Sequence, residues 1–185
     1  MYIAQAKRKE NIAEYILYLW QLEDLLRALK FSPEVIYSQL VASQERTQEE
    51  KQALFLWYME LANLLREEGK ETSGHLAHTM HLIADLQNLH LQLMELQVGK
   101  DYRALYARLA PELPNLREML GRAEMSDMEI AFRALYGAML YRLKGDQGRR
   151  QAIGDVVEVV SPVVAELARV YRHAEKGEID LFEES

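Results

Sequence analysis

Apolar residues spaced three and four positions apart constrain the fold of this chain more than any other feature. In the first such segment the spaced positions are Ile12, Tyr15, Ile16, Leu19, Leu22, Leu26 and Leu29. This spacing places one apolar stripe along an α-helix. Residues that break helices are few, since Gly 9 and Pro 4 make 13 of 185 residues, about 7% where about 12% is usual. The sequence therefore predicts few turns and long helices.

The predicted fold class is all-α: a single-domain bundle of about seven helices, mostly in antiparallel up-and-down packing. Ser32, Thr47 and Ser126 are predicted N-terminal caps, and a glutamate three residues after Thr47 and Ser126 completes a capping box. The predicted helices cover roughly residues 3–29, 33–43, 47–69, 72–98, a fifth from 101 that two prolines interrupt, 126–144 and 149–176. The predicted domain covers residues 1–177, and residues 178–185 form an acidic tail that we expect to be frayed.

One segment near the C-terminus is ambiguous between strand and helix. Residues 156–160 read Val-Val-Glu-Val-Val, a composition typical of a β-strand. The longer series from Ile153 to Tyr171 keeps helical spacing, and the surrounding sequence offers no partner strand. We therefore predict a helix here.

Charge and composition exclude several classes of function. Lys+Arg 22 against Asp+Glu 29 gives a net charge of −7, which argues against binding to nucleic acid. Cys 0 excludes disulfides, zinc–thiolate sites and cysteine nucleophiles, and is typical of a reducing compartment. The longest run without Asp, Glu, Lys or Arg, residues 72–84, contains three histidines, so we expect no membrane span. We see no secretory signal and expect a cytoplasmic protein.

The most distinctive stretch of the chain is at its N-terminus. Residues 3–5 read Ile-Ala-Gln, and residues 9–27 read Lys-Glu-Asn-Ile-Ala-Glu-Tyr-Ile-Leu-Tyr-Leu-Trp-Gln-Leu-Glu-Asp-Leu-Leu-Arg. This stretch resembles the start of a family of uncharacterised bacterial proteins, found mainly in Bacteroidetes, known as domain of unknown function 4924. The resemblance implies a bacterial, cytoplasmic, all-helical protein. It implies no activity and no catalytic residues.

Histidines in the fourth predicted helix are the first candidates for chemistry. His75, His78 and His81 are three residues apart, and Asp85 follows His81 by four. Neighbours at these spacings share a helix face, and imidazole with carboxylate suits zinc, iron or nickel. Projection onto a helical wheel places His75 and His90 on the apolar side but His81 and Asp85 on the polar side. The histidines therefore do not converge, and His78, His81 and Asp85 stay weak metal candidates.

The second candidate site lies on the first predicted helix. Its residues are Glu14, Trp20, Glu23, Asp24 and Arg27. Glu23 projects to the edge of the buried stripe, where a carboxylate can bind a metal, act as a base or form a salt bridge. Arg27, four residues on, could supply that salt bridge. Our candidates for ligand binding are four of these residues and one histidine of the fourth predicted helix: Glu14, Trp20, Glu23, Arg27 and His78.

No complete catalytic motif is present. The sequence contains no Walker loop, no serine elbow, no His-Glu-x-x-His and no paired Glu-x-x-His. We therefore predict no cofactor, and the sequence leaves open whether the protein is an enzyme.

Two hypotheses of function remain. The first and fourth predicted helices are apolar on nearly all sides, so each is either central in the bundle or covered by another chain. This favours a non-enzymatic helical bundle that acts by association, as a homodimer or with a protein partner. The alternative is a metal- or small-ligand-binding protein, or an enzyme, that uses the histidines and carboxylates of these two helices.

Overall fold

The computed structural model describes residues 2–121, 124–144 and 150–178, which contain α-helices and no strand. Within these described residues, eight helices have eight residues or more, and a ninth is a single turn. The helices are α1 Tyr2–Glu10, α2 Ile12–Ala28, α3 Pro33–Ile36, α4 Gln48–Glu67, α5 Ala77–Glu95, α6 Lys100–Leu109, α7 Leu113–Leu120, α8 Asp127–Lys144 and α9 Arg150–Glu175. The all-α class is confirmed, with eight full helices where about seven were predicted.

The first predicted helix is two helices. Asn11 separates α1 from α2, and its side-chain Oδ1 accepts a hydrogen bond from Ala13 N at 3.0 Å. Asparagine competes in this way with the helical backbone bonds, so it starts a new helix instead of continuing the old one. The prediction of one helix over residues 3–29 was therefore wrong at this residue.

Side-chain caps begin the next two helices as predicted. Ser32 Oγ accepts from Val35 N at 3.4 Å, and α3 continues into a π-helical turn at Tyr37–Val41. At α4 the capping box is complete: Glu50 N donates to Thr47 Oγ1 at 3.2 Å, and Thr47 N donates to Glu50 Oε2 at 2.9 Å. These bonds satisfy amide groups that have no partner within the helix.

The start of α5 differs from the prediction. The sequence placed it near Thr72 or Ser73, but the helix begins at Ala77 and ends at Glu95, before a 3₁₀ turn at Gln97–Gly99. Carboxylates from distant positions cap it: Glu68 accepts from Ala77 N at 2.7 Å, and Glu23 accepts from Leu76 N at 3.1 Å. Local cap signals could not show this, because the capping groups come from other elements.

The C-terminal helices follow the predicted helical pattern, but the predicted capping box at Ser126 is wrong in one half, because the Glu129 carboxylate bonds Arg133 and not the Ser126 amide. Pro111 and Pro114 separate α6 from α7 through a 3₁₀ turn. Ser126 Oγ accepts from Glu129 N at 3.2 Å, while the Glu129 carboxylate accepts from Arg133 Nε at 2.9 Å. The valine-rich segment is helical within α9. Residues 179–185 of the predicted tail lie outside the described residues.

The chain divides into two compact units. The first comprises residues 1–10 and 14–81, and the second comprises 11–13 and 82–185. The core of the first unit contains Leu19, Leu22, Leu26, Phe31, Ile36, Val41, Tyr58, Leu61, Ala62, Leu65 and Leu76. In the second unit α9 packs against α6 and α8, and α8 also packs against α7. The expectation of a single domain over residues 1–177 stays a prediction.

A helix that crosses a membrane must be both long and apolar. Within residues 2–121, 124–144 and 150–178, none of the helices combines the length and the apolar character that crossing a bilayer requires.

Gly99 provides a test of the close packing at the end of α5. A Cβ atom at this position would lie 1.8 Å from the carbonyl oxygen of Leu93. We expect Gly99→Ala to lower the free energy of unfolding by about 1–3 kcal/mol, since backbone must move to make room. Gly137→Ala in α8 is the control, because its Cβ would meet nothing within 4 Å and alanine favours helix by roughly 0.5–1 kcal/mol. Urea denaturation measures both, and equal effects would contradict the packing at Gly99.

Candidate functional site

A carboxylate with almost no solvent contact lies in the middle of α2. Glu23 is 2% exposed. Its Oε2 lies 2.7 Å from His75 Nδ1, and its Oε1 accepts from Leu76 N at 3.1 Å. A buried carboxylate is costly unless it is paired and hydrogen-bonded. Both oxygens of Glu23 therefore have partners in the segment that leads into α5.

Trp20 completes the surroundings of His75. The imidazole of His75 stacks on the indole, with ring centroids 3.7 Å apart and planes 10° from parallel. Trp20 Nε1 donates to Thr79 Oγ1 at 3.1 Å, and Thr79 Oγ1 donates to the carbonyl of Leu76 at 2.9 Å. These bonds hold the first turn of α5 against α2.

Arg27 binds the loop between α4 and α5. Its Nε donates to the Lys70 carbonyl at 3.0 Å and its Nη2 to the Gly74 carbonyl at 2.6 Å, while Nη1 pairs with Asp24 at 2.7 Å. The predicted salt bridge between Glu23 and Arg27 is wrong, because Glu23 pairs with His75 and Arg27 pairs with Asp24 and the loop. We call Trp20, Glu23, Arg27, His75 and Thr79 the Glu23 cluster.

The other predicted ligand-binding residues have different partners. Glu14 forms an ion pair of 2.8 Å with Lys7. His78 Nε2 lies 3.0 Å from the hydroxyl of Tyr15. Burial, followed by the positive charges of Arg8 and His81, lowers the pKa of His78. Of the five candidates, Trp20 and Glu23 both contact His75, while Arg27 contacts Asp24 and the loop before α5. Their role as ligand-binding residues stays a prediction.

The weak metal candidates do not assemble into a ligand set. His81 and Asp85 are exposed on α5, as the helical projection predicts. Across the part of the chain that the structure describes, no group of three or more histidine, aspartate or glutamate side chains is arranged to hold a metal ion.

A second polar cluster lies in the second unit, around Asp127 at the start of α8. Tyr106 OH donates to Asp127 Oδ2 at 2.5 Å, and Arg117 Nη2 donates to Asp127 Oδ1. His90 is 3% exposed. Its Nδ1 lies 2.7 Å from Tyr102 OH, and its Nε2 lies 4.0 Å from Asp127 Oδ2. We call His90, Tyr102, Tyr106, Arg117 and Asp127 the Asp127 cluster.

The Asp127 cluster favours a neutral imidazole near an ionised carboxylate. Burial lowers the pKa of His90, although the charge of Asp127 opposes this shift. Burial disfavours the charged form of Asp127, but the hydrogen bonds from Tyr106 and Arg117 outweigh it and lower the pKa of the carboxyl. Burial also raises the pKa of both tyrosines well above the ordinary value. At neutral pH the cluster contains one carboxylate that a guanidinium balances.

Sequence reasoning placed His90 on the apolar side of its helix but did not connect it with Asp127. The sequence contained one signal of this cluster. Tyr102 and Tyr106 are four residues apart, so their hydroxyl groups lie on one face of α6. An imidazole beside a carboxylate is a common acid–base pair. Here, however, His90 has almost no solvent contact, and the cluster members bond to one another.

Both clusters are internally satisfied. Among the residues that the structure describes, no buried side-chain nitrogen or oxygen lacks a hydrogen-bond partner. Unsatisfied polar groups are a usual mark of a site that awaits a ligand. Both clusters therefore have the character of polar networks that hold helices and loops in place.

Replacing Glu23 by glutamine tests the first cluster. Glu23→Gln removes the charge while it keeps the shape, so we expect a loss of about 1–3 kcal/mol in the free energy of unfolding, as for a buried hydrogen bond to a charged group. Glu14→Gln, at an exposed ion pair, is the matched control and should cost less than about 1 kcal/mol. Urea denaturation of both variants gives the comparison. An equal loss in both would show that Glu23 has no special role.

The lowered pKa values of His78 and His90 predict a pH dependence of stability. The unfolded chain binds protons at these histidines from near the ordinary pKa of 6.5, whereas the folded protein binds them at lower pH. The two histidines therefore make their whole contribution to the free energy of unfolding above pH 6.5. The free energy of unfolding should fall as the pH drops below this value. His90→Asn should remove part of this fall and His78→Asn another part, as measured by thermal unfolding from pH 7 to 5. An unchanged slope in the double variant would contradict this assignment.

Comparison with known proteins adds one match. The family model described as "domain of unknown function (DUF4924)" matches residues 1–178 of the chain. No curated protein and no solved structure matches it.

Proposed function

We propose that this chain, which belongs to the DUF4924 family, is a non-enzymatic helical bundle that acts by association, with a second copy of itself as the partner. The observation that carries the proposal is the exposure of apolar side chains along α5. Leu91 is 54% exposed and Met94 is 36% exposed, and Val98, in the turn after the helix, is 46% exposed. Ala84 is also exposed, seven residues before Leu91.

These positions form a stripe suited to helix pairing. Ala84, Leu91 and Met94 are separated by steps of seven and three, the spacing of contact positions between paired helices. Of the eight large apolar side chains that are exposed in the described residues, three lie in this segment. An apolar row that the chain leaves in water indicates a contact surface for another chain.

The charges along α5 favour an antiparallel pair. In a parallel pair of α5 helices, Glu95 lies at the same height along the axis as Glu95 of the second copy, so the two negative charges are on one level at the rim of the contact. In an antiparallel pair centred on Leu91, Glu95 lies opposite Gln87. A two-fold axis through Leu91 also gives the self-complementary contact of a symmetric dimer.

The two polar clusters support association over catalysis. In the described residues, the buried polar atoms of the Glu23 and Asp127 clusters have hydrogen-bond partners within the protein, which supports association over catalysis. The all-round apolar character of the first predicted helix has an internal explanation, because Trp20 is fully buried. For α5 the chain itself covers only part of the apolar surface, and a second copy would cover the rest.

Cysteine substitution tests the proposed dimer directly, since the natural chain has Cys 0. We expect Leu91→Cys to form a disulfide-linked dimer on mild oxidation, because the two-fold axis brings the two side chains together. Met119→Cys is the matched control, as Met119 is 73% exposed but lies on α7. Non-reducing gel electrophoresis at low micromolar concentration distinguishes them.

Hydrodynamic measurement completes the test. Analytical ultracentrifugation should give a dimer for the natural protein and for Met119→Glu, and a monomer for Leu91→Glu. A natural protein that stays monomeric at high micromolar concentration would refute the proposed self-association, as would equally fast cross-linking at positions 91 and 119.

Ligand binding or catalysis at the Glu23 cluster is the second candidate function. The contact of 2.7 Å between a buried carboxylate and an imidazole supports it, because such pairs perform acid–base work in enzymes. Thermal shift with divalent metal ions and small acids and amines, compared between the natural protein and Glu23→Gln, tests this candidate. Stabilisation that depends on Glu23 would favour it over association.

We also propose a bacterial host, a cytoplasmic location and no interaction with nucleic acid. The family resemblance of the N-terminal stretch supports the first, and the absence of cysteine supports a reducing compartment. The net charge of −7 opposes binding to phosphate backbones. If the protein slowed the migration of DNA or RNA in a gel at low salt, this result would contradict the proposed lack of interaction with nucleic acid.

A further inference from the structure

A groove in the first unit lies apart from the residues of the Glu23 cluster. It has a volume of about 490 Å³ and is lined by Pro33, Glu34, Tyr37, Gln48, Gln52 and Phe55. This volume is within the range of small-ligand clefts, roughly 300–1,000 Å³. The groove combines aromatic rings, amides and one carboxylate, so its chemistry is specific enough to indicate a class of ligand.

Two aromatic rings meet in this groove at a right angle. The centroids of Tyr37 and Phe55 are 5.5 Å apart, and their planes make an angle of 86°. The face of an aromatic ring is electron-rich, and a cation is attracted to it. Both rings pack partly against the core of the first unit, and both also line the groove. Aromatic side chains of this kind form the cages that bind alkylated ammonium groups.

A carboxylate supplies the complementary charge. Glu34 is exposed on the wall of the groove, and Ser32 Oγ donates a hydrogen bond to its Oε2 at 2.9 Å. Its own backbone N–H and the Ser32 hydroxyl lower the pKa of Glu34, which keeps it ionised at neutral pH. The six lining residues include no lysine or arginine, so the charge in the groove is negative.

The backbone around the groove has unusual conformations. Lys30 and Phe31, just before Pro33, have φ of 54° and 55°, which non-glycine residues rarely adopt. Tyr37 is the first residue of the π-helical turn. Strained residues and π-helical turns occur frequently at functional sites. Here they lie at the segment that presents Glu34 and Tyr37.

We propose that this groove binds an alkylated ammonium group, with Tyr37 and Phe55 contacting its methyl groups and Glu34 balancing its charge. The side-chain amides of Gln48 and Gln52 can bond a hydroxyl or amide elsewhere in the ligand. The same cation occurs in free choline-like molecules and in trimethylated lysine side chains, and the experiment distinguishes these two sources. The inference is independent of the proposed dimer, since it rests on different residues.

Choline and its uncharged analogue 3,3-dimethyl-1-butanol are the primary probes. The two have the same shape, so a difference in binding reports the positive charge alone. Titration followed by amide chemical shifts should show choline shifting the signals of residues 33–37 and 48–55 with millimolar affinity. The uncharged analogue should bind about threefold to tenfold more weakly than choline, as expected for cation–π attraction at an exposed site.

Two variants locate the binding. Glu34→Gln changes an exposed side chain, and we expect it to weaken choline binding about threefold to tenfold. The thermal unfolding temperature should fall only slightly, since the lost carboxylate lies in the first turn of α3 and accepts a hydrogen bond from Ser32. Phe55→Leu keeps apolar volume but removes one ring and should have a similar effect on choline binding. Glu112→Gln, at an exposed glutamate in the 3₁₀ turn between α6 and α7, is the matched control and should bind choline as the natural protein does.

A peptide with one trimethyllysine, compared with its unmodified form, tests the second source. Binding of choline alone assigns the groove to small molecules, and tighter binding of the trimethylated peptide assigns it to a modified protein; either supports the proposal. Equal binding of choline and its uncharged analogue would overturn it. So would binding that Glu34→Gln and Phe55→Leu both leave unchanged, or an absence of binding to either cationic probe.

Discussion

The burial of one carboxylate, Glu23, is the interaction on which the first unit depends. A charge in an apolar interior is tolerated only where hydrogen bonds replace those it made with water. The structure meets this requirement with His75 and the amide of Leu76, both just before α5. The position of the carboxylate on α2 therefore determines where α5 begins and how the loop before it runs. Arg27 reinforces the same arrangement from the next turn of α2.

The second unit solves a similar problem with different residues. Asp127, at the start of α8, accepts hydrogen bonds from Tyr106 and Arg117, which come from α6 and α7. His90 of α5 lies close to the same carboxylate and stays neutral because it is buried. Each unit therefore joins its helices through one carboxylate with several donors. Such networks favour a unique arrangement of helices, since a shifted helix would leave a buried or partly buried charge without partners.

This use of the polar residues bears on function. Groups that could perform chemistry in the interior are already bonded to the protein, while two surfaces offer unused interaction energy. One is the apolar stripe of α5 at Ala84, Leu91 and Met94. The other is the groove at Glu34, Tyr37 and Phe55. A protein that uses these two surfaces would act by contact and recognition, as we propose.

Periodicity and cap chemistry were sufficient to predict most of the helices. The spacing of apolar residues holds along each helix regardless of its neighbours, and the capping box at Thr47 is local to four residues. For the same reason the valine-rich segment of α9 was correctly predicted as helix. The position of Glu23 at the edge of the buried stripe was also predictable, because helical projection depends on local spacing alone.

What the sequence by itself determined is thus the all-α class, most helix ranges and the family to which the chain belongs. Only the tertiary structure decided the start of α5, the partner of Glu23 and the assembly of the Asp127 cluster. The physical reason is the separation along the chain of the groups that meet. Glu23 and His75 are 52 positions apart, and His90 and Asp127 are 37 positions apart. Helical periodicity carries no information about contacts between residues so distant in the chain.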